Sequence, residues 1–157
     1  MIPSQVLLPK DGWRLLPESA AVAIIVTDQD RVLMQHRDRI DGVIFPGFWG
    51  LFGGAIDPGE SPIDALRREL YEELRFTAGD AKYFTAVDYD FEFCGKGWTR
   101  RRYFVIHVVE SDIATMELHE GDDMRTFALP EILERIDVIP FDAWALWMYA
   151  NRTALSE

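Results

Sequence analysis

The sequence predicts a mixed α/β domain, and three observations lead to that prediction. The chain has 157 residues, a length typical of one hydrophobic core, and 48% of them are apolar. Short segments rich in Val, Ile and aromatic residues alternate with polar turns, as strands do. A well-marked helix interrupts them in the middle of the chain. We therefore expect an extended arm over residues 1–18 and a single domain over residues 19–157, without repeats or linkers.

The first third of the chain predicts the arm, two strands and a loop. Three prolines punctuate the arm, and proline disfavours helical structure in the residue before it. A continuous apolar run at 20–27 predicts a buried strand, 28–30 form a turn, and 32–35 predict the returning strand. Residues 37–47 are loop-like, and a short apolar piece at 49–52 ends at two glycines.

The best-marked element is a helix that begins after Ser61. Serine is a preferred N-cap, Pro62 suits the first helical position, and Asp64 lies where an acidic side chain can reach back to the cap. Apolar residues recur at helical spacing as far as Leu74. The pattern therefore predicts a helix over 62–74.

The second half of the chain predicts a hairpin followed by a strand and two helices. Polar and apolar residues alternate along 81–93 and 99–110, which a short Gly-containing turn joins. Residues 125–129 predict a further strand, and 130–136 and 141–152 predict the helices. We expect the last helix to bury four apolar side chains, which are Trp144, Leu146, Trp147 and Met148.

The charge of the chain argues against several classes of function. Sixteen Lys and Arg residues against 27 Asp and Glu residues give a formal net charge of −11. Binding to nucleic acid polymers or to anionic membranes needs clustered cations. No apolar run approaches the roughly 20 residues of a membrane-spanning helix, and residues 1–9 lack the apolar core of a signal peptide. The single cysteine, Cys94, cannot form a disulfide within the chain, so we expect a cytoplasmic protein.

Three glutamates share one face of the predicted helix. At 100° per residue, Glu69, Glu72 and Glu73 occupy an arc beside the apolar stripe. Like charges at spacings of three and four residues repel by about 0.2–0.5 kcal/mol per pair. A divalent cation reverses this repulsion, because Mg²⁺ prefers carboxylate oxygens. The alternative is a solvated acidic face on which Arg67 and Arg68 form ordinary ion pairs.

The residues around this helix resemble the Nudix box. Residues 54–76 read GAIDPGESPIDALRRELYEELRF, and the family pattern is G-x5-E-x7-R-E-U-x-E-E-x-G-U, where U is a bulky apolar residue. The positions that fit are Gly54, Glu60, Arg68, Glu69, Leu70, Glu72, Glu73 and Phe76. Arg75 stands where the pattern has its second glycine. Glycine there closes the helix in the left-handed conformation, which costs another residue about 1 kcal/mol.

The resemblance implies a Nudix-type α/β/α sandwich with a mixed β-sheet between helices. It also implies a hydrolase that uses Mg²⁺ or Mn²⁺ to cleave the diphosphate bond of a nucleoside diphosphate linked to another group. By resemblance, Arg68 orients the glutamates through charge-assisted hydrogen bonds. Glu60 is implied to support the box either from behind the metal ligands or through a metal-bound water. The implied metal ligands are Glu69, Glu72, Glu73 and the backbone carbonyl of Gly53.

The resemblance leaves the substrate open. Nucleotide sugars, nucleoside triphosphates (including damaged forms) and dinucleotides all fit the family, and we slightly favour nucleotide sugars or related diphosphates. The alternative is a non-catalytic Nudix-like module that senses a nucleotide, although such modules usually lose the box glutamates that this chain retains. Family members often form homodimers, so the Trp-rich last helix serves either the core or an interface.

Three residues outside the box complete the predicted site. Glu120 resembles a carboxylate that many relatives carry after the hairpin as metal ligand or general base, and would act with Arg68, Glu72 and Glu73. The alternative is a solvated acidic loop. Arg37, at a strand end, and Arg102 are candidates for substrate phosphate. The alternatives are a surface arginine and a charge partner across the hairpin, because residues 100 and 102 share one strand face and 101 takes the other.

Overall fold

The computed structural model describes residues 18–95, 97–134 and 137–156. In these residues a seven-stranded sheet forms the centre of the domain. The strands are β1 Glu18–Thr27, β2 Arg31–His36, β3 Trp49–Gly50, β4 Phe52–Ala55, β5 Ala81–Asp90, β6 Trp98–Val108 and β7 Asp123–Ala128. The helices are α1 Pro62–Leu74, α2 Glu110–Ile113, α3 Leu129–Glu134 and α4 Pro140–Ala150.

β1 is the central strand of a mixed sheet. The main path runs β3-β2-β1-β6-β5, with β4 also paired to β1 and β7 to β2. β1 and β6 are parallel from Ala20 opposite Arg101 to Thr27 opposite Val108, whereas the other described pairs are antiparallel. The long connection between β1 and β6 carries α1, so this helix packs back on the sheet next to its central strands.

The sheet separates two hydrophobic cores, which explains the continuous apolar run of β1. Ala21, Ala23 and Ile25 face one core, whose helical wall is the apolar stripe of α1. Val22, Ile24 and Val26 face the other, where the buried face of α4 packs. A strand with helices on both faces has no solvated side and needs no polar alternation. The predicted α/β/α sandwich with a mixed sheet is confirmed.

The predicted helix at 62–74 is confirmed at both ends. The Ser61 hydroxyl oxygen accepts a hydrogen bond from the backbone N–H of Asp64 at 3.2 Å, and Pro62 occupies the first turn. Arg75 follows the helix with φ +52° and ψ +24°, the left-handed conformation for which the family pattern has glycine. Its backbone N–H donates to the Tyr71 carbonyl at 3.0 Å, so the turn closes in spite of the side chain.

Two predictions about the second half need correction. The hairpin strand that was expected to continue to Phe93 ends at Asp90, where a 3₁₀ turn takes over at Glu92–Cys94. The last helix buries Leu146 but leaves Trp144 and Trp147 49% and 41% exposed, with their rings stacked 5.2 Å apart.

Helical spacing explains the two exposed tryptophans. The buried stripe of α4 follows i, i+3, i+4, i+7, and its members are Asp142, Ala145, Leu146 and Tyr149. Trp144 and Trp147 lie outside that stripe, whereas Met148 is partly buried against the core.

The predicted arm lies outside the described residues except at Glu18, which already belongs to β1. Among the helices of the described ranges, none has the length and apolar character needed to cross a membrane.

Candidate active site

A cavity of about 660 Å³ lies where α1, the glycine-rich strand β4 and the start of α4 meet. Its wall combines carboxylates, arginines, backbone at the two glycines, and aromatic or aliphatic side chains. The lining residues are Ala20, Arg37, Ile44, Leu51, Gly53, Gly54, Ala55, Glu69, Glu73, Phe91, Trp98, Thr99, Arg101, Glu120, Ile139, Phe141 and Asp142. A concave site with a few convergent charged groups is the usual form of a small-molecule site.

Arg68 links the box glutamates to one another. Its guanidinium donates from Nε and Nη2 to the two Glu60 oxygens at 3.0 Å each, and from Nη1 to Glu69 Oε1 at 2.7 Å and Glu72 Oε2 at 3.4 Å. Nη2 also donates to the Ala55 carbonyl at 2.9 Å. The hydrogen bond to Glu60, followed by that to Glu69, raises the pKa of Arg68, while Arg68 lowers the pKa of Glu60. One planar fork therefore fixes the orientation of three carboxylates.

Glu73 is the most deeply buried of the box glutamates, at 5% exposed. Its Oε2 accepts a hydrogen bond from the backbone N–H of Gly53 at 2.9 Å. Burial raises the pKa of Glu73 to about 8, because neither the Gly53 bond nor Arg37 compensates for lost hydration, and the charges of Glu120 and Glu69 add to the shift.

The two glycines of β4 leave room that a side chain would fill. Gly53 has φ +126°, and a Cβ there would lie 2.3 Å from the Ala21 carbonyl oxygen. A Cβ at Gly54 would lie 2.5 Å from the Glu69 carboxylate. Burial raises the pKa of Glu69 in spite of its bond to Arg68, and Glu72 and Glu120 contribute. The carboxylate of Glu69 thus packs directly on glycine backbone.

Glu120 reaches the cavity because its loop is tied to the end of α1. The backbone N–H groups of Glu117 and His119 donate to the Leu74 and Glu73 carbonyls at 2.9 and 2.8 Å. The Glu120 carbonyl accepts from the buried Gln35 side chain at 2.7 Å. Its carboxylate makes no hydrogen bond to any residue that the structure describes, yet it raises the pKa of both Glu69 and Glu73.

The structure brings most of the predicted site residues to one cavity. Arg37 lines it beside Glu73, with its Nε donating to the Ile44 carbonyl at 3.0 Å. Glu72 does not line the cavity; its side chain is 56% exposed and its described bond is to Arg68. The predicted site residues that line the cavity are Gly53, Glu69, Glu73, Arg37 and Glu120.

Arg102, the other arginine predicted to bind phosphate, is not among the described residues that line the cavity. Its guanidinium lies 5.9 Å from the centre of the Tyr83 ring. Arg100 donates from Nε and Nη2 to the two Asp88 carboxylate oxygens at 2.7 and 2.9 Å. This is the charge pairing across the hairpin that was the alternative for the arginines at 100–102. Strand alternation turns Arg101 to the opposite face, and Arg101 is the member of the run that reaches the cavity.

Sequence reasoning missed Arg101 and Asp142, which form a buried ion pair in the cavity wall. Arg101 Nη2 lies 3.2 Å from Asp142 Oδ1, with the two side chains 16% and 1% exposed. Asp142 Oδ2 accepts from the Leu51 backbone N–H at 3.0 Å. In the sequence, Asp142 has the appearance of an ordinary acidic residue in the first turn of a helix. The feature of the sequence that could have indicated its burial is its helical spacing from the apolar residues Ala145, Leu146 and Tyr149.

The donor set suits a divalent cation. Glu69, Glu73 and Glu120 line one cavity and repel one another, which is the arrangement that a hard cation relieves. Within the described ranges, no three His, Cys, Asp or Glu side chains already converge closely enough to hold an ion. Arg68 and the Gly53 N–H hold two of these carboxylates, Glu69 and Glu73.

A comparison with protein families identifies the chain. The NUDIX domain family matches residues 17–145, which is most of the chain and includes the whole box. The chain therefore belongs to the Nudix hydrolase family, and the resemblance carried by residues 54–76 is confirmed.

Three relatives have assigned activities. The oxidized purine nucleoside triphosphate hydrolase of Danio rerio is 33% identical over 128 residues, covering 79% of this chain and 73% of that protein. The nucleoside triphosphatase NudI of Escherichia fergusonii is 59% identical over 34 residues, covering 22% and 24%. NudI of Enterobacter sp. (strain 638) is 49% identical over 47 residues, covering 30% of each. The matches to the two NudI proteins thus span only about a quarter to a third of their length.

Solved structures share the fold at low sequence identity. The MutT protein of Methanosarcina mazei Go1 aligns with a TM-score of 0.71 at 20% identity, covering 88% of this chain and 98% of that one. The NUDIX domain of Shewanella oneidensis NrtR, solved with ADP ribose, aligns with a TM-score of 0.70 at 17% identity, covering 95% and 96%.

Proposed function

We propose that this protein is a divalent-metal-dependent hydrolase that cleaves the diphosphate bond of a nucleoside triphosphate or a related nucleoside diphosphate derivative. The observation that supports this most is the cavity shared by Glu69, Glu73 and Glu120, in which Arg68 orients Glu69 and the Gly53 N–H orients Glu73. The relatives named as nucleoside triphosphate hydrolases favour triphosphates over the nucleotide sugars that the sequence slightly favoured.

We assign metal binding to Glu69, Glu73 and the Gly53 carbonyl in the cavity wall, with Glu72 as a further ligand. A bound Mg²⁺ or Mn²⁺ supplies charge neutralisation to a diphosphate that a chain of net charge −11 would otherwise repel. Arg68 keeps the glutamates in place during the reaction, because its fork holds Glu60, Glu69 and Glu72 together.

Glu120 is the best candidate for the general base. Glu69 is bonded to Arg68 and Glu73 to the Gly53 amide, whereas the Glu120 carboxylate has no hydrogen-bond partner among the residues that the structure describes. In the proposed step, the oxygen of water bonds to phosphorus, its proton passes to a Glu120 oxygen, and the bond from phosphorus to the bridging oxygen breaks. We assign Arg37, which lines the cavity with Glu73, to binding a phosphate oxygen of the substrate.

A substrate panel tests the proposal. Nucleoside triphosphates, nucleotide sugars and dinucleotides are incubated with the protein in millimolar Mg²⁺, Mn²⁺ or EDTA, and phosphate is measured with and without added pyrophosphatase and phosphatase. We expect turnover of at least one triphosphate with metal and none in EDTA. Undiminished hydrolysis in excess chelator would contradict metal dependence. Tight nucleotide binding without any turnover would favour the nucleotide-sensing module instead.

A further inference from the structure

Arg101 is held rigidly in the cavity wall by three partners. Its Nε donates to the Tyr103 hydroxyl at 3.3 Å, and its Nη2 donates to Asp142 at 3.2 Å. The guanidinium lies 4.4 Å from the centre of the Phe141 ring, so it stacks on an aromatic surface. Tyr103 and Asp142 are themselves buried and bonded, since the Tyr103 hydroxyl lies 3.3 Å from the Phe141 carbonyl. The plane of the Arg101 fork is therefore set before any ligand binds.

Part of that fork has no partner among the residues that the structure describes. An arginine side chain carries five N–H donors, and the described bonds of Arg101 use Nε and one N–H of Nη2. Nη1 donates to no residue of the described ranges, although the side chain lines the cavity and is only 16% exposed. Because Arg101 lines the cavity, an acceptor on a bound ligand can take up this free N–H.

The ligand group that fits is neutral and flat. Asp142 already balances the charge of Arg101, so this part of the wall does not call for a second phosphate. The neighbouring wall consists of ring and aliphatic surfaces from Phe91, Trp98 and Phe141, on which a planar base can stack. The carboxylates proposed to bind metal lie on α1 and in the loop before β7, whereas Arg101 lies on β6 and Phe141 on α4. The phosphates and the base of a nucleotide would therefore contact different elements.

We propose that Arg101 determines base specificity by favouring guanine-type purines over adenine. Guanine presents two acceptors, O6 and N7, on one edge, and an arginine fork donates to both; adenine presents an N–H₂ donor beside N7, which an arginine donor opposes. This assignment rests on the proposed function only in taking the ligand to be a nucleotide. A good bidentate pair discriminates between bases by about 5- to 150-fold.

Binding of GMP and AMP tests the assignment without depending on turnover. Calorimetric titration in millimolar Mg²⁺ should give wild-type protein a GMP dissociation constant at least about fivefold below that of AMP. Arg101→Gln should abolish that preference or invert it, because a glutamine amide pairs with adenine N6 and N7. If Arg101→Gln fails to fold because Asp142 loses its partner, the double variant Arg101→Gln/Asp142→Asn removes both charges and is measured instead.

Arg100→Gln is the matched control. It removes the same charge from the neighbouring position of β6, on the opposite face, where the arginine pairs with Asp88. The GMP-to-AMP ratio should stay at the wild-type value. An equal change in both variants, a wild-type protein without preference for GMP, or an Arg101→Gln variant with unchanged ratio would overturn the assignment. Selective GMP binding without any hydrolysis would contradict the proposed function and leave this assignment standing. Hydrolysis of GTP and ATP with equal affinities for GMP and AMP would support the proposed function and overturn this assignment.

Discussion

The carboxylate of Glu73, on α1, accepts a hydrogen bond from the backbone N–H of Gly53, on β4, at 2.9 Å. This bond joins the glutamate-bearing helix to the glycine strand across the floor of the cavity. It leaves a nearly buried carboxyl group with one donor and two repelling neighbours, Glu69 and Glu120. The protein therefore maintains a site whose negative charge is unfavourable without a cation, and the predictions below test what that arrangement does.

The raised pKa of Glu73 predicts that the metal-free protein loses stability as pH increases. An unfolded chain deprotonates this group near 4.5, whereas the folded protein retains the proton until about pH 8. Between pH 4.5 and pH 8 the folded state therefore binds one proton more than the unfolded state. The contribution of Glu73 protonation to the free energy of unfolding is fully present below about pH 4.5, and it falls by at most about 1.4 kcal/mol per pH unit until about pH 8.

Melting curves in EDTA from pH 5 to pH 9 check this prediction. Wild type should lose melting temperature relative to Glu73→Gln, which carries no titrating group at that position. Parallel curves for the two proteins across this range would mean that Glu73 ionises in the folded protein as it does in water.

Arg68→Lys should lower kcat far more than it changes KM. Lysine keeps the positive charge but loses the planar fork that bonds Glu60 and Glu69 together, so the carboxylates lose their fixed orientation. Residues that orient metal ligands typically contribute about 10- to 100-fold to activity. Steady-state kinetics in saturating Mg²⁺ measure the effect, and Arg67→Lys is the control because Arg67 is exposed and lies 3.9 Å from Asp64. A lysine variant at position 68 with wild-type kcat would reduce Arg68 to a surface ion-pair partner.

Gly54→Ala should reduce turnover while the fold persists. The added methyl group would lie 2.5 Å from the Glu69 carboxylate, which is the flexible end of a side chain and moves away. Displacement of a catalytic group by about 1 Å costs up to about 100-fold in rate. Gly79→Ala is the control, since a Cβ there meets nothing within 4 Å. Equal activity of the two variants would show that the position of Glu69 does not matter.

Glu120→Gln separates the two roles considered for that residue. As the general base, Glu120 is needed for proton transfer, so the glutamine variant loses kcat but keeps the wild-type increase in melting temperature with Mg²⁺. As a metal ligand, it is needed for binding, so the variant loses both. Kinetics and thermal melts on the same preparation decide, and we expect the first pattern. Full activity in the variant would mean that Glu120 has neither role and belongs only to a solvated acidic loop.

Much of the fold and half of the site followed from local patterns in the sequence. The cap at Ser61 and the stripe ending at Leu74 specified α1, because each depends on residues in or next to one helix. The role of Arg68 in orienting the glutamates followed instead from the resemblance to the Nudix box.

The site residues on β6 and α4 could not be predicted, because their roles depend on which elements pack against each face of the strand and the helix. Sequence periodicity does not show this. Alternation showed that Arg101 opposes Arg100 and Arg102, but only the position of α4 makes the Arg101 face the cavity wall. In the same way, the composition of α4 predicted burial for Trp144 and Trp147, whereas its contacts selected the stripe that contains Asp142 and Leu146.

The change in melting temperature caused by Mg²⁺ shows whether Glu73 belongs to a metal site. Wild type and Glu73→Gln are melted in EDTA and in millimolar Mg²⁺ at pH 7. Mg²⁺ stabilises the folded state by RT ln(1 + [L]/Kd), so at about 100-fold excess over Kd wild type should gain about 5–11 °C. Glu73→Gln should melt above the wild-type temperature in EDTA, because folded wild type must keep a proton on a buried carboxyl group that the unfolded chain has already lost at pH 7. The variant should gain markedly less with Mg²⁺. Equal Mg²⁺ shifts in the two proteins, or none in either, would contradict a metal site at Glu73.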